Sequence, residues 1–192
     1  MTARLFQAGL IAGALLVSGA AYAQDRITPP SVPAEIELSS AYKVFFFGHA
    51  VGTQNYMCAP AATASGVDWF FIGPQATLFD SSGEQVVTHF LSKNPLRNDA
   101  LQATWQHSRD SSKVWATRLN GAVVAPDAIE WLLLEVTGPQ AGPSDGVKLT
   151  GAVRIHRVNT VGGMKPPATE CTPATINMRK FVPYEADYYF YK

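Results

Sequence analysis

Four histidines, His49, His89, His107 and His156, are the side chains of this sequence best suited to proton transfer or metal ligation. Imidazole is the common transition-metal ligand, and three rings gathered by a fold could hold an ion. None of the four forms a close ligand pair in sequence, so no metal site is expected. His49 falls in a predicted turn, and His156 shares a face with Arg154 opposite Val153 and Ile155, which points it toward solvent. His89 and His107 each end a predicted strand, and Trp105 shares the face of His107 by the two-residue period. These three residues suggest a pocket mouth with an aromatic wall and a titratable group. The plainer alternative is a core tryptophan with its neighbour at the rim.

Other residues suit binding rather than reaction. In the last predicted strand Tyr184, Ala186, Tyr188 and Phe190 alternate onto one face. Glu185, Asp187, Tyr189 and Tyr191 share the other, and acids mixed with phenols can hydrogen-bond a hydroxyl-rich ligand or form an ordinary wet face. Trp69, Trp105, Trp115 and Trp131 would make a sugar-stacking platform if exposed in a row. Each sits in an apolar strand, and burial is the expected use. The strings that announce catalysis or a cofactor are missing: there is no Gly-x-Ser-x-Gly, His-Glu-x-x-His, Gly-x-x-x-x-Gly-Lys or Gly-x-Gly-x-x-Gly. No catalytic residue and no cofactor are assigned.

The elements that must position these residues read as short strands. Segments 43–47 and 53–57 flank Gly48 to Gly52 as a hairpin, and 68–72 stops at Gly73-Pro74. Segments 76–79 and 85–90 flank Asp80-Ser81-Ser82-Gly83, with Asp at the turn start and Gly where φ turns positive. Segments 103–107 and 113–119 repeat this around Asp110-Ser111-Ser112. Strands 129–137, 148–158 and 184–191 follow, with the turn cluster Asn159 to Gly163 before the last; short helices are allowed only near 98–103 or 127–131. Evenly spaced strands with Gly, Pro and Asp turns predict a single all-β domain. The expected form is an antiparallel β-sandwich or jelly-roll-like barrel of roughly 9–10 short strands.

The N-terminus reads as a secretory signal: Arg4, an apolar run from Leu5 to Val17, and the small-x-small site Ala21-Tyr22-Ala23. Cleavage after Ala23 would leave Gln24 as the first residue, followed by a proline-rich extended leader over 24–40 and the β domain over 41–192. The run is shorter than the roughly 20 residues a spanning helix needs, and no later stretch is longer, so no membrane span remains after cleavage. Export implies a periplasmic or extracellular protein, where Cys58 and Cys171, the two cysteines, read as one disulfide. Hydrophobic residues make up 47% and charged ones 16%, which excludes a disordered chain. With 15 Lys+Arg against 15 Asp+Glu there is no basic footprint for nucleic acid.

From about Ala41 onward the chain resembles the DUF3455 family, exported bacterial and fungal proteins known as a domain of unknown function. The resemblance rests on Gly52-Thr-Gln-Asn-Tyr56 with Cys58, Trp69 with Gly73-Pro74-x-Ala76-x-Leu78, and His89. It continues through Thr104-Trp105, Trp131-Leu-Leu-Leu134, Arg157-Val-Asn-Thr-Val-Gly-Gly163 with Cys171, and Val182 to Tyr191. Where members carry Asp-Gly-Ser after the tryptophan, this chain has Asp110-Ser111-Ser112. The family implies no reaction. Some relatives bear dehydrogenase labels, yet this sequence has no βαβ alternation to hold a dinucleotide.

Three functions stay open at this point. The first is a non-catalytic module binding a small molecule, a glycan or another envelope component through His89, Trp105, His107, Asp187 and Tyr189. The second is a hydrolase or lyase using His89 or His107 with Asp68 or Asp187. The third is a structural or docking protein. Oligomeric state is not legible in the sequence.

Overall fold

The computed structural model describes residues 27–192, and the signal-peptide reading lies outside them. Eight antiparallel strands follow one another around a closed barrel. They are β1 (Val44–Pro60), β2 (Val67–Phe79), β3 (Gln85–Asn94), β4 (Ala100–His107), β5 (Lys113–Ala122), β6 (Trp131–Gln140), β7 (Arg154–Gly162) and β8 (Arg179–Tyr191). β8 pairs with β1 from Val44↔Tyr191 to Met57↔Arg179 and closes the ring. The expected all-β antiparallel class holds. The architecture is one closed barrel of eight strands, where a sandwich or jelly-roll-like barrel of roughly nine or ten was expected.

The difference in count comes from glycine and proline inside strands. β1 runs unbroken through Gly48 and Gly52, where a hairpin was predicted, and so places His49 within a strand. A Cβ at Gly48 would stand 2.9 Å from Leu78 Cβ, and one at Gly52 would collide with the Gln75 carbonyl. Both glycines allow β1 and β2 to cross closely where the wall coils. Likewise β2 passes through Gly73-Pro74, at positive φ for Gly73 and opposite a bulge at Asn55/Tyr56. A bulge bends its strand and increases twist, which is what closing a barrel requires.

The hairpin turns do form as predicted. Asp80 Oδ1 accepts the N–H groups of Ser82 and Glu84, both at 2.9 Å, and Gly83 takes the positive φ. Asp110 Oδ1 accepts from the N–H and hydroxyl of Ser112 at 3.0 and 2.7 Å. No α-helix forms near 98–103 or 127–131; a 3-10 turn at Pro95–Arg97 is the nearest helical element.

Inward side chains fill the barrel with an apolar core that includes Leu78, Trp105, Ile155, Tyr188 and Phe190. Charged residues such as Lys93, Arg109 and Glu185 stand outside, the reverse of a barrel whose wall faces lipid. No helix among the described residues is long and apolar enough to cross a membrane. The β6–β7 connection turns in over one end and buries Leu149 and Ala152 in this core.

At the opposite end Cys58 and Cys171 are joined in a disulfide with Cα atoms 5.4 Å apart. It pins the segment before β8 onto a second apolar cluster of Tyr56, Val67 and Trp69. The segment before β1 is packed, not loose: Ile36 is 0% exposed, and Val32, Leu38 and Tyr42 lie on the outer wall. His156 is consequently buried rather than solvent-facing. Its Nε2–H donates to the Ile36 carbonyl at 2.8 Å, and its Nδ1 accepts from the Tyr191 hydroxyl at 3.0 Å.

Candidate functional site

Register places His89 of β3 directly opposite Trp105 of β4, both on the inward face. The imidazole stacks on the indole at a centroid distance of 4.2 Å and 14° between planes. Tyr188 of β8 closes the group, 5.3 Å from the His89 ring and 5.5 Å from Trp105. His89 and Trp105 are 3% and 1% exposed. The His89 Nδ1–H donates to the Thr104 carbonyl at 2.9 Å, which fixes the tautomer and leaves Nε2 with a lone pair. Burial pushes the His89 pKa down to about 3; the Thr104 carbonyl opposes the shift and the Arg157 charge adds to it. His89 is therefore a neutral acceptor at physiological pH, not an acid.

These rings wall one side of a cavity of about 290 Å³ in the barrel lumen. Leu132 and Leu134 supply apolar wall, Gln54, Arg157 and Gln102 supply polar atoms, and exposed Phe71, Leu101 and Arg118 stand at its rim. Two wall residues leave buried donors without a well-formed hydrogen bond: Trp105 Nε1 has no partner, and Gln54 Nε2 has only the Tyr184 phenol close by. A buried donor left unpaired costs about 1–3 kcal/mol. Burial, then the neighbouring Tyr188, pushes the Tyr184 phenol well above its ordinary range, with the Arg157 charge and the nearby Gln54 amide opposing.

The sequence-predicted residues divide into three places. His89 and Trp105 share the lumen cavity. His107 lies opposite Val87 on the inward face, packs edge-on against Phe46 at 5.8 Å and borders a separate groove with Gln106 and Ser111. Its Nδ1 is 3.0 Å from Asp110 Oδ1. Asp187 and Tyr189 stand on the outer wall: Asp187 accepts from His49 Nδ1 and Asn159 Nδ2, each at 2.8 Å, and Tyr189 packs on Phe47. Asp68 bonds Lys165 at 2.6 Å on the outside. Neither Asp68 nor Asp187 lines the cavity that holds His89, so the dyad with His89 does not assemble.

The tryptophans form no exposed row. Trp69 packs by the disulfide, and Trp115 is buried with its Nε1 donating to Ser92 Oγ at 2.8 Å. Among the described residues no group of three His, Cys, Asp or Glu side chains could hold a metal ion.

Sequence reasoning missed Gln54 and Arg157. Alternation would have found both, since Arg157 follows inward Ile155 by two and Gln54 follows inward Ala50 by four. A polar residue on the inward face of an apolar strand is the signal.

Residues 39–192 match the family described as "Protein of unknown function (DUF3455)". The chain belongs to the DUF3455 family. No curated protein and no solved structure matches it. In this DUF3455 member the family segments converge on the lumen: Gly52 to Tyr56 brings Gln54, the Thr-Trp pair brings Trp105, and Arg157 opens the Arg-Val-Asn-Thr-Val-Gly-Gly segment.

Proposed function

We propose that this protein is an exported, non-catalytic barrel that binds a small molecule in its lumen. The observation that carries the reading is the pair of buried, unpartnered donors, Trp105 Nε1 and Gln54 Nε2, on residues lining one cavity. Interiors rarely leave such groups unmatched without a reason, and a ligand acceptor would supply the missing bond. An eight-stranded barrel has an interior wide enough for one small ligand. The cavity's volume lies at the small end of the usual range for such sites, about 300–1,000 Å³.

A glycan is the weaker ligand class, because the wall is mainly apolar and no flat aromatic surface is exposed. The disulfide supports export, since such bonds persist in oxidising compartments. N-terminal sequencing of the exported protein should find Gln24 first.

Lumen binding is tested by thermal-shift screening of small apolar and amphipathic molecules against the wild type and Ala103→Phe, which narrows the cavity wall. Stabilisation seen only with the wild type supports the reading. Hits that stabilise both proteins equally would place binding elsewhere and overturn it.

A further inference from the structure

The charges around the cavity narrow its ligand further than its shape does. Arg118 at the rim is matched by Glu130 at 3.2 Å, and the outer cations Lys93, Arg109, Arg154, Lys165 and Lys180 each face a carboxylate. Arg157, inside, makes no ion pair among the described residues. Its Nε and Nη2 donate to a neutral acceptor, the Glu130 carbonyl, at 3.2 and 2.8 Å. Among the described residues no Asp or Glu lines the cavity.

The unmatched groups are therefore mainly donors, set against the lone pair on His89 Nε2. Gln54 and Trp105 each hold a spare N–H, and Arg157 holds a positive charge beside leucine side chains. A neutral apolar ligand would strip water from the guanidinium and return nothing. A polyol would need acceptors and donors in similar number. A carboxylate offers acceptor oxygens and the missing negative charge together, and guanidinium–carboxylate pairs are strong, directional contacts.

We propose that the lumen takes a small organic anion, with its carboxylate on Arg157 and its apolar body against Leu132, Leu134 and Trp105. Gln54 and Trp105 line the same cavity, and a small side-chain shift would turn their buried N–H donors to the head group. Octanoate and benzoate have the required size and charge, and 1-octanol and benzyl alcohol are their neutral counterparts. The proposal rests on the lumen-binding reading, but the two fail separately.

Isothermal titration of the full chain with these four probes tests it. Octanoate or benzoate should bind the wild type at least about tenfold more tightly than the matching alcohol, the usual scale for a hydrogen bond to a charged group. Arg157→Gln should weaken the anion by about 10- to 100-fold and leave the alcohol unchanged, while Arg157→Lys, which keeps the charge, should retain much of the affinity. Anion and alcohol binding the wild type equally would overturn the anion assignment and leave the lumen a ligand site. Binding of none of the probes would overturn both. If Arg157→Gln fails to fold, the anion–alcohol contrast in the wild type still decides.

Discussion

At the end of the barrel covered by the β6–β7 connection, no buried side-chain nitrogen or oxygen among the described residues is left without a partner. Asp110 accepts from the Lys148 and Ser112 amides and from the Ser112 hydroxyl, and that hydroxyl in turn accepts from the Leu149 amide at 3.1 Å. At the other end, around His89 and Trp105, two buried N–H groups have none and a guanidinium lacks a carboxylate. The same strands build both ends, so strand chemistry alone does not explain the contrast. A closed network stabilises, whereas an end with unmatched donors gives up stability and keeps binding capacity. The packed end holds the barrel together, and the open end is free to recognise.

Four perturbations break or sharpen that contrast. The largest acts where the open end is held covalently. Cys171→Ser removes a cross-link spanning 113 residues, which is worth about 4 kcal/mol in chain-entropy terms. Its melting temperature should fall by about 10 °C in thermal denaturation, and hydrogen exchange should quicken first around 165–173. An unchanged melting point would show that packing alone holds that segment.

Next is Leu149→Ala, which hollows the packed end and should cost about 3 kcal/mol by chemical denaturation, near the middle of the range for buried leucine truncations. A cost below about 1 kcal/mol would mean the connection is an ornament on the barrel.

Acid acts on the two ends at different pH. His89 is neutral when folded, with its pKa depressed to about 3, and burial also lowers His156. The unfolded chain takes up protons at these histidines first, so stability is complete above about pH 6.5 and declines as pH falls; for His89 the decline runs toward pH 3 at about 1.4 kcal/mol per unit, and His156 adds a loss of the same sign. At the packed end burial pushes Asp110 up, but the Lys148 amide and the Ser112 hydroxyl and amide pull harder and hold it at about 2. Its contribution is present above the ordinary carboxylate pKa and is lost only as pH falls toward 2. His89→Phe should flatten the decline between pH 6.5 and 4 in pH-dependent denaturation. A variant with the wild-type slope would assign that decline to His156.

The smallest effect carries the opposite sign. Gln54→Leu removes an unpartnered buried donor and should raise stability by about 1 kcal/mol in the same assay. Destabilisation by a similar amount would mean that the donor is satisfied in solution and that the two ends do not differ.

Much of this arrangement was legible in the sequence, for physical reasons that also mark where legibility ends. The two Asp-Ser-Ser hairpins were readable because one side-chain oxygen in each organises the turn locally. The alternation Tyr184, Ala186, Tyr188, Phe190 correctly gave the inward face of β8. Gly48, Gly52 and Gly73-Pro74 misled because they serve close approach and bending within strands, and so one long strand looked like two.

Closure was invisible for a different reason. It depends on β1 meeting β8, a contact between the chain's two ends that no local pattern encodes. His156 shows the same limit, since periodicity gives the face a residue occupies but not that residues 27–42 will cover it. His89 and Trp105 came together because both follow the inward alternation of neighbouring strands, whereas Asp187 and Tyr189, grouped with them as binding residues, share a face of β8 that stands on the outer wall, away from the lumen.

The most direct test is the ¹⁵N–¹H spectrum of the four tryptophan indoles, assigned by single Trp→Phe variants and titrated with octanoate. Because Trp105 Nε1–H is unpartnered while Trp115 Nε1 already bonds Ser92, the Trp105 indole resonance should move downfield and saturate as Trp115 stays in place. A titration that shifts Trp115 or Trp69 and leaves Trp105 unmoved would contradict a lumen that binds anions through its unmatched donors.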